Sequence, residues 1–250
     1  MNVGGSAMIR GRTTRPGTME GPRGGLRQVS GTARLQPAAR AALLLLLLAL
    51  LAPWTAGAGE LVEGRDYRRI VPAQPTDAPP GQVEVVELFW YGCPHCHRFE
   101  PYLERWLAHK PEGVHFRRMP ATFNRLWILH ARAYYTAQAL GVLERIHRPL
   151  FEAIHVLKRR LDSKERLRAF FAEHGVRPED FDAVWGSFAV EARVRRAEEM
   201  TRRYRVHGTP SLVIDGRYIV DGDNAGGDFN RMLEIAQELI RRERARLRGS

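Results

Sequence analysis

The two cysteines of the chain, Cys93 and Cys96, lie three residues apart in the sequence Cys-Pro-His-Cys. A thiolate, rather than a thiol, attacks disulfides, so such a pair needs surroundings that stabilise negative charge on one sulfur. A disulfide between these residues would close a very short loop and would add little stability. The pair is therefore predicted to be redox-active and not structural.

A predicted strand over 83–90 leads directly into this motif, and an amphipathic helix is predicted from Pro94 to about residue 109. The first turn of a helix offers unpaired N–H groups and the positive end of the helix dipole. Cys93 is predicted to be the exposed, attacking sulfur. Cys96 is predicted to resolve mixed disulfides from one turn further in, and His95 to favour a thiolate on Cys93.

The consequence of a stabilised thiolate is thermodynamic. Whatever stabilises the thiolate of Cys93 favours the reduced protein over its disulfide. The disulfide form is therefore predicted to be a strong oxidant, which passes its disulfide to a substrate.

Further elements follow the motif along the chain. The patterns predict a second strand over 113–119, a helical block over 126–204, strands over 211–214 and 217–220, and a last helix over 227–247. The two late strands flank Asp215-Gly216, a strong two-residue hairpin signal. A strand that returns through a helix implies a parallel pair, and the hairpin adds antiparallel strands, so a mixed sheet with helices on its faces is predicted.

The N-terminal residues 1–58 are predicted to be a signal peptide with a long n-region. They hold seven arginines and one acid, and so carry +6 of the formal charge of +11. The Leu/Ala run from Ala41 to Leu51 is shorter than the roughly 20 apolar residues that span a bilayer. Small residues at 56–58 predict cleavage after Ala58. The remaining basic charge is interspersed with acids and no recognition motif accompanies it, which argues against a nucleic-acid partner.

Several motifs together resemble the DsbA family of periplasmic disulfide oxidases. They are Cys-Pro-His-Cys itself, Val86-Glu87-Leu88-Phe89, Phe99-Glu100, Pro149-Leu150-Phe151-Glu152, the stretch from Asp182 to Phe188, and Gly208-Thr209-Pro210. The resemblance covers roughly residues 60–245. It implies an α/β protein with a thioredoxin-like mixed β-sheet, flanking helices and an inserted all-helical domain.

This resemblance also implies a domain organisation. A linker and an edge strand are expected in 59–82, and a helical insertion in 126–204. The insertion is expected to divide the thioredoxin-like domain into a first half, 83–125, and a second half, 205–250.

The resemblance implies a role for each site residue. Cys93 corresponds to the nucleophile and Cys96 to the resolving thiol, and Glu87 corresponds to a buried acid that helps proton transfer from Cys96. Pro210 corresponds to a cis-proline beside the disulfide, and Thr209 to a residue that touches the substrate backbone.

The residues between the cysteines, Pro94 and His95, complete the implied catalytic motif. The family's best-known member has a lysine near the buried acid, whereas this chain has Arg118. An arginine does not deprotonate and is not a simple substitute for lysine in proton transfer.

Partners and location follow from the same resemblance. The implied substrates are unfolded exported proteins with free cysteines, in the periplasm. Re-oxidation is implied to come from a quinone-linked inner-membrane partner of the DsbB type. The thiol chemistry requires no organic cofactor and no metal.

Other functions fit parts of the sequence. A disulfide reductase of the same fold would carry the same Cys-x-x-Cys. Exported isomerases of this fold have a preceding dimerisation domain, for which the about 25 residues between Ala58 and the first core strand leave no room, so a monomeric oxidase is predicted. From a different class, Cys-x-x-Cys-His matches covalent haem attachment, with His97 as the iron ligand. A zinc site would need a second ligand pair.

Replacement of His95 by leucine tests the predicted contribution of this side chain. The pKa of Cys93 is expected to rise and the disulfide to become less oxidising, because a group that favours the thiolate is lost. The thiolate absorbance of the reduced protein across a pH titration measures this. An unchanged titration would contradict the assigned role of His95.

Overall fold

The structure is a computed structural model that describes residues 60–249, so the predicted signal peptide and its cleavage site lie outside the described residues. The elements in chain order are β1 (Arg68–Arg69), β2 (Val83–Phe89), α1 (Pro94–Ala108), β3 (Val114–Pro120), α2 (Arg125–Ala139), α3 (Leu143–His155), α4 (Lys164–Glu173), α5 (Pro178–Trp185), α6 (Phe188–Arg203), β4 (Ser211–Ile214), β5 (Tyr218–Asp221) and α7 (Phe229–Gly249).

The described strands form one mixed sheet in the order β1-β5-β4-β2-β3. β2 and β3 are parallel, because α1 carries the chain from one to the other, whereas β4 is antiparallel to both β2 and β5. The mixed α/β sheet predicted from the sequence is confirmed. In the β2–β3 register Glu87 lies opposite Arg118, so these two residues are neighbours on adjacent strands.

β2 is buried along its whole length, as its near-continuous apolar sequence predicts. Two hydrophobic clusters account for this burial. One cluster includes Val83 and Val85 and packs β2 against α1 and α7. The other includes Val86 and Leu88 and continues into the helices between β3 and β4. The strand that leads into Cys93 is thus held on both sides by tightly packed side chains.

The hairpin between β4 and β5 differs from the predicted two-residue connection. Asp215 and Gly216 both have positive φ values, 50° and 61°, as the Asp-Gly signal requires. However, Ile214 pairs with Tyr218, so Arg217 is left out of the ladder. Arg217 N–H donates to the Ile214 carbonyl oxygen and so closes the turn, while the Arg217 carbonyl oxygen accepts a hydrogen bond from Ile70 N–H, next to the short edge strand β1.

Gly216 is required at this turn for a second reason besides its φ value. An added Cβ would collide with the carbonyl oxygen of Gln74, whose N–H donates to the Gly216 carbonyl. The segment before β2 is therefore hydrogen-bonded to the turn between β4 and β5. Among residues 60–249 no helix is both long and apolar enough to cross a membrane.

Phe151→Ala tests how far the packing of α3 supports the fold around the motif. The ring of Phe151 is 1% exposed and lies 5.0 Å from the ring of Tyr91, two residues before Cys93. Loss of this side chain is expected to reduce the free energy of unfolding by about 3 kcal/mol in urea titrations. The control is Phe188→Ala, because Phe188 is 82% exposed, and its effect is expected to stay within about 0.5 kcal/mol. Equal effects of the two substitutions would contradict this account.

Candidate active site

Cys93 occupies the N-cap of α1, and its sulfur is itself the capping group. Sγ accepts a hydrogen bond from the backbone N–H of Cys96 at 3.3 Å, and Pro94 provides the first helical residue. Proline is favoured at this position because it has no N–H to leave unsatisfied. The arrangement places the Cys93 sulfur at the positive end of the helix dipole.

The surroundings of Cys93 lower its pKa to about 6. The largest cause is a hydrogen bond from the Cys96 thiol, which outweighs the opposing effect of burial. A hydrogen bond from the Thr209 side chain and the backbone N–H groups of Cys96 and His95 lower it further. Each of these groups stabilises the thiolate.

Cys96 lies one turn further into α1 and is fully buried. Burial, together with its interaction with Cys93, raises the pKa of Cys96 well above that of an ordinary thiol. The two sulfurs therefore differ sharply in acidity, and Cys93 is the one that carries negative charge near neutral pH. Both thiols are free in this structure.

Cys93 is less accessible than its predicted role as an exposed sulfur implied, since it is only 7% exposed. The loop from Gly208 to Pro210 covers it, and the Cys93 thiol, when protonated, donates to the carbonyl oxygen of Thr209 at 3.2 Å. The Thr209–Pro210 peptide bond is cis. Ser211 closes the loop, because its hydroxyl donates to the Gly208 carbonyl at 2.7 Å.

The side chain of His95 is exposed in the structure. Its Nδ1 accepts a hydrogen bond from the guanidinium of Arg98 at 3.1 Å. The contribution of His95 to the acidity of Cys93 in the structure comes from its backbone N–H, which a leucine would retain. The structure therefore predicts a smaller effect of His95→Leu on the pKa of Cys93 than the side-chain role expected from the sequence. His97 is half-buried and stacks on the ring of His155, with 5.0 Å between the ring centroids.

Glu87, the predicted buried acid, is fully enclosed near the middle of the sheet. Its Oε2 accepts a hydrogen bond from Arg118 Nε at 2.9 Å, and the same guanidinium donates to Glu100 Oε2 at 2.9 Å. Burial and the charge of Glu100 raise the pKa of Glu87 to about 8, although Arg118 opposes this. One guanidinium thus joins two carboxyl groups beneath the motif.

Glu100 behaves oppositely to Glu87. Although burial raises its pKa, a hydrogen bond with His147 and the charge of Arg118 hold the pKa of Glu100 below its ordinary value. The charge of Cys93 also raises the pKa of Glu87, so the acid and the redox pair are electrostatically coupled. Because the pKa of Glu87 is raised and that of Glu100 is lowered, the two carboxyl groups together are expected to hold one proton near neutral pH, on Glu87.

A groove lies beside the motif, with a cavity volume of about 420 Å³. His95 lines one side of it, while His207, Thr209 and Pro210 line another. Phe229, at the start of α7, belongs both to this groove and to an adjoining one of about 670 Å³ along α1. The groove therefore runs along the cis-proline loop, whose Thr209 carbonyl oxygen lies 3.2 Å from the Cys93 sulfur.

Among residues 60–249, no group of three or more His, Cys, Asp or Glu side chains is arranged to hold a metal ion.

The stacked imidazoles of His97 and His155 lie beside the loop that precedes the motif. His155 Nε2 hydrogen-bonds to the Tyr91 carbonyl oxygen at 2.8 Å, which ties α3 to the segment that carries Cys93.

A stabilised thiolate at a helix start, a buried thiol one turn later and a cis-proline loop against them define a thiol:disulfide oxidoreductase of the thioredoxin fold. Residues 84–226 match the family model described as a DSBA-like thioredoxin domain. The chain belongs to the DsbA family of thiol:disulfide interchange proteins, and the resemblance found in its motifs is confirmed.

Individual relatives agree with this assignment. The thiol:disulfide interchange protein DsbA of Azotobacter vinelandii is 41% identical over 182 residues, which are 73% of this chain and 84% of that protein. The crystal structure of Pseudomonas aeruginosa DsbA has a TM-score of 0.72 at 38% identity, covering 76% of this chain and 98% of that one. The oxidoreductase DsbA from Xylella fastidiosa has a TM-score of 0.68 at 40% identity, covering 74% and 98%.

Sequence reasoning did not assign Glu100 and His147 to the site, although a signal for both was present. Glu100 falls on the apolar stripe of α1 with Cys96, Phe99 and Leu103, where an acid is unexpected. His147 likewise falls on the apolar stripe of α3 with Ile146, Leu150 and Phe151. A charged or titratable residue on such a stripe predicts a buried polar partner from another element.

Glu87→Gln tests the raised pKa of Glu87 through the pH dependence of stability. The folded pKa of about 8 exceeds the ordinary value of 4.5, so the native state binds more protons than the unfolded state between these values. Stability is therefore expected to fall as pH rises through this window. Glutamine removes that loss, so the variant is expected to be more stable than the parent at pH 8 by more than about 1 kcal/mol, measured by urea unfolding.

The matched control is Glu84→Gln on the same strand. Glu84 is equally buried, but its carboxylate accepts hydrogen bonds from Arg117 and from the N–H of Asp77. This substitution is expected to destabilise the protein at pH 8, because it leaves the Arg117 charge without its buried partner. A Glu87→Gln variant that is also less stable at pH 8 would contradict the raised pKa.

Proposed function

We propose that this protein donates the Cys93–Cys96 disulfide to newly exported proteins that contain free cysteines. The observation that carries the proposal is the contrast between the two thiols. The pKa of Cys93 is lowered to about 6, while that of the buried Cys96 is raised. At pH 7 roughly nine-tenths of Cys93 would be thiolate in the reduced protein. Because only the reduced protein gains this stabilisation, its disulfide is a strong oxidant.

Each step of the proposed reaction exchanges one sulfur–sulfur bond for another. A substrate thiolate attacks Cys93 Sγ, and the electron pair of the Cys93–Cys96 bond passes to Cys96. A second substrate thiolate then attacks the substrate sulfur of the mixed disulfide, which releases Cys93 as a thiolate. The substrate leaves with a disulfide and the enzyme leaves with two reduced cysteines.

Cys96 needs a proton as it leaves, because a buried thiolate with a raised pKa is costly. Glu87 is the proposed donor. Its raised pKa, about 8, keeps the carboxyl protonated at neutral pH, and the negative charge of Cys93 contributes to raising that pKa. Arg118 serves in this scheme as a fixed charge that holds the acid in place, since a guanidinium does not exchange protons at neutral pH.

The groove beside the motif is the proposed substrate site. Its walls include Thr209, which is assigned to the substrate backbone, Pro210, the cis-proline beside it, and Phe229. An extended segment bound along this groove would contact the cis-proline loop that packs on Cys93. Of the remaining catalytic assignments, Pro94 begins α1 and His95 lines the groove.

Location and partners complete the proposal. The relatives' name, thiol:disulfide interchange protein, supports an interaction with substrate proteins. We place the protein in the periplasm as a monomer, after removal of residues 1–58, with re-oxidation by a quinone-linked membrane partner of the DsbB type. The thioredoxin-like halves are assigned to 83–125 and 205–250, with the helical insertion at 126–204.

The redox equilibrium of the purified protein with defined ratios of reduced to oxidised glutathione tests the direction of transfer. We expect the disulfide to persist only in strongly oxidising buffer, because the Cys93 thiolate stabilises the reduced form. Trapping of free thiols measures the reduced fraction. A Cys96→Ala variant serves as control, since it forms the mixed disulfide with glutathione but no internal one.

The opposite outcome has a definite meaning. A disulfide that persists until the buffer is strongly reducing would identify the protein as a reductase. In that case the stabilisation of Cys93 would be outweighed by strain or charge effects in the reduced state, and the disulfide-donor proposal would be wrong.

A further inference from the structure

A buried histidine of the helical insertion, His147, is in contact with the acid pair beneath the active site. His147 lies on α3 and is 8% exposed. Its Nε2 is 3.5 Å from Glu100 Oε1, and its Nδ1 is 2.9 Å from the hydroxyl of Tyr91. The imidazole therefore connects the loop that carries Cys93 to one member of the pair.

The two carboxyl groups are supported unequally. Each accepts one hydrogen bond from Arg118 through Oε2. Neither second oxygen has a hydrogen bond among the described residues and both are buried, but Oε1 of Glu100 lies 3.5 Å from His147 Nε2, whereas Oε1 of Glu87 faces no such group. Because an unpaired carboxylate oxygen in the interior is costly, the member with less support takes the proton.

Tyr91 determines which nitrogen of His147 carries the imidazole proton. If Nδ1 carried it, the lone pair of Nε2 would face the Glu100 carboxylate, which is repulsive. With the proton on Nε2, the imidazole points a donor at Glu100, and the Tyr91 hydroxyl donates to Nδ1. The Tyr91 hydroxyl then has its partner at 2.9 Å, and the Nε2 N–H points at Glu100 Oε1 across the longer distance of 3.5 Å.

The charges around His147 favour a neutral imidazole. Burial, followed by the charge of Arg118, lowers the pKa of His147, while Glu100 opposes them. The titratable and charged groups that face it from the surrounding elements are Tyr91 before α1, Glu100 on α1, Arg118 on β3, Tyr134 on α2, and Glu144 on its own helix. A neutral donor stabilises the Glu100 carboxylate without adding a second positive charge to the site.

We propose that His147 is a positioning residue of the proton-transfer site, which holds Glu100 ionised and thereby keeps the exchangeable proton on Glu87. The inference rests on the proposed function, in which Glu87 protonates the leaving Cys96. Without the His147 donor, the states with ionised Glu100 lose support while the state with protonated Glu100 does not. The proton then moves from Glu87 toward Glu100, where it no longer serves the leaving thiolate.

The test is a pH titration of the glutamate side-chain carboxyl ¹³C signals in the reduced protein, with Glu87→Gln and Glu100→Gln for assignment. In the parent, Glu87 is expected to titrate near pH 8 and Glu100 below its ordinary range. In His147→Phe, the pKa of Glu100 is expected to rise by about one unit or more, and the titration near pH 8 to pass in part from Glu87 to Glu100. His147→Gln keeps an N–H donor and is expected to stay close to the parent.

His130→Phe is the matched control, because His130 is also a buried histidine of the insertion but hydrogen-bonds to the Leu161 carbonyl. It is expected to leave both glutamate titrations unchanged. Should His147→Phe not fold, Tyr91→Phe removes the hydroxyl that orients the imidazole and is expected to shift the titrations in the same direction.

Two results would overturn the inference, and they are distinguishable. If Glu87 titrates near pH 8 in the parent and remains so in folded His147→Phe and Tyr91→Phe, the role of His147 is wrong while Glu87 stands as proton donor. If Glu87 titrates in its ordinary range in the parent, both the assignment of Glu87 as proton donor and the role of His147 are wrong.

Discussion

The hydrogen bond from Cys96 N–H to Cys93 Sγ is the interaction on which the rest of the structure depends. It makes the reactive sulfur the cap of α1, so every stabilisation that a helix start offers to an anion is directed at that atom. The chain must then turn sharply between β2 and α1. Gly92 permits this, because an added Cβ would collide with the Trp90 indole, which covers the turn and stacks on Trp127 of α2 at 4.3 Å.

The second constraint is electrostatic and lies beneath the first. Two carboxyl groups share one guanidinium in the interior, and a buried net charge is expensive, so the cluster is most stable with one proton. A lysine at position 118 would supply a point charge, whereas the guanidinium reaches Glu87 and Glu100 with separate nitrogens in fixed geometry. The departure from the family's best-known member is thus compatible with proton storage, provided that the proton moves between carboxyl and thiol and not through residue 118.

Much of the fold was predictable because it depends on local patterns. The alternation of strands and helices, the motif at a helix start and the Asp-Gly turn follow from periodicity and turn chemistry, and their bounds were wrong by only a few residues. The burial of Cys93 and the outward position of the His95 ring were not predictable. The burial of Cys93 depends on the cis-proline loop, which is more than 100 residues away along the chain, and the His95 ring is held by a hydrogen bond with Arg98. Glu100 and His147 were missed for the same reason, since their partners lie on other elements.

The helices between β3 and β4 are part of the active-site wall. His147 and His155 of α3 hold the hydroxyl and the carbonyl oxygen of Tyr91, and the Tyr134 hydroxyl of α2 donates to the Arg118 carbonyl. Removal of these helices would expose β2, leave the Tyr91 hydroxyl without His147, and leave Glu100 with Arg118 as its only polar neighbour among those described above. The thiolate at the helix start is therefore supported mainly by the sheet and α1, whereas the proton on the buried acid depends on Arg118 of β3, on Glu100 of α1 and on the helices between β3 and β4 that pack against them.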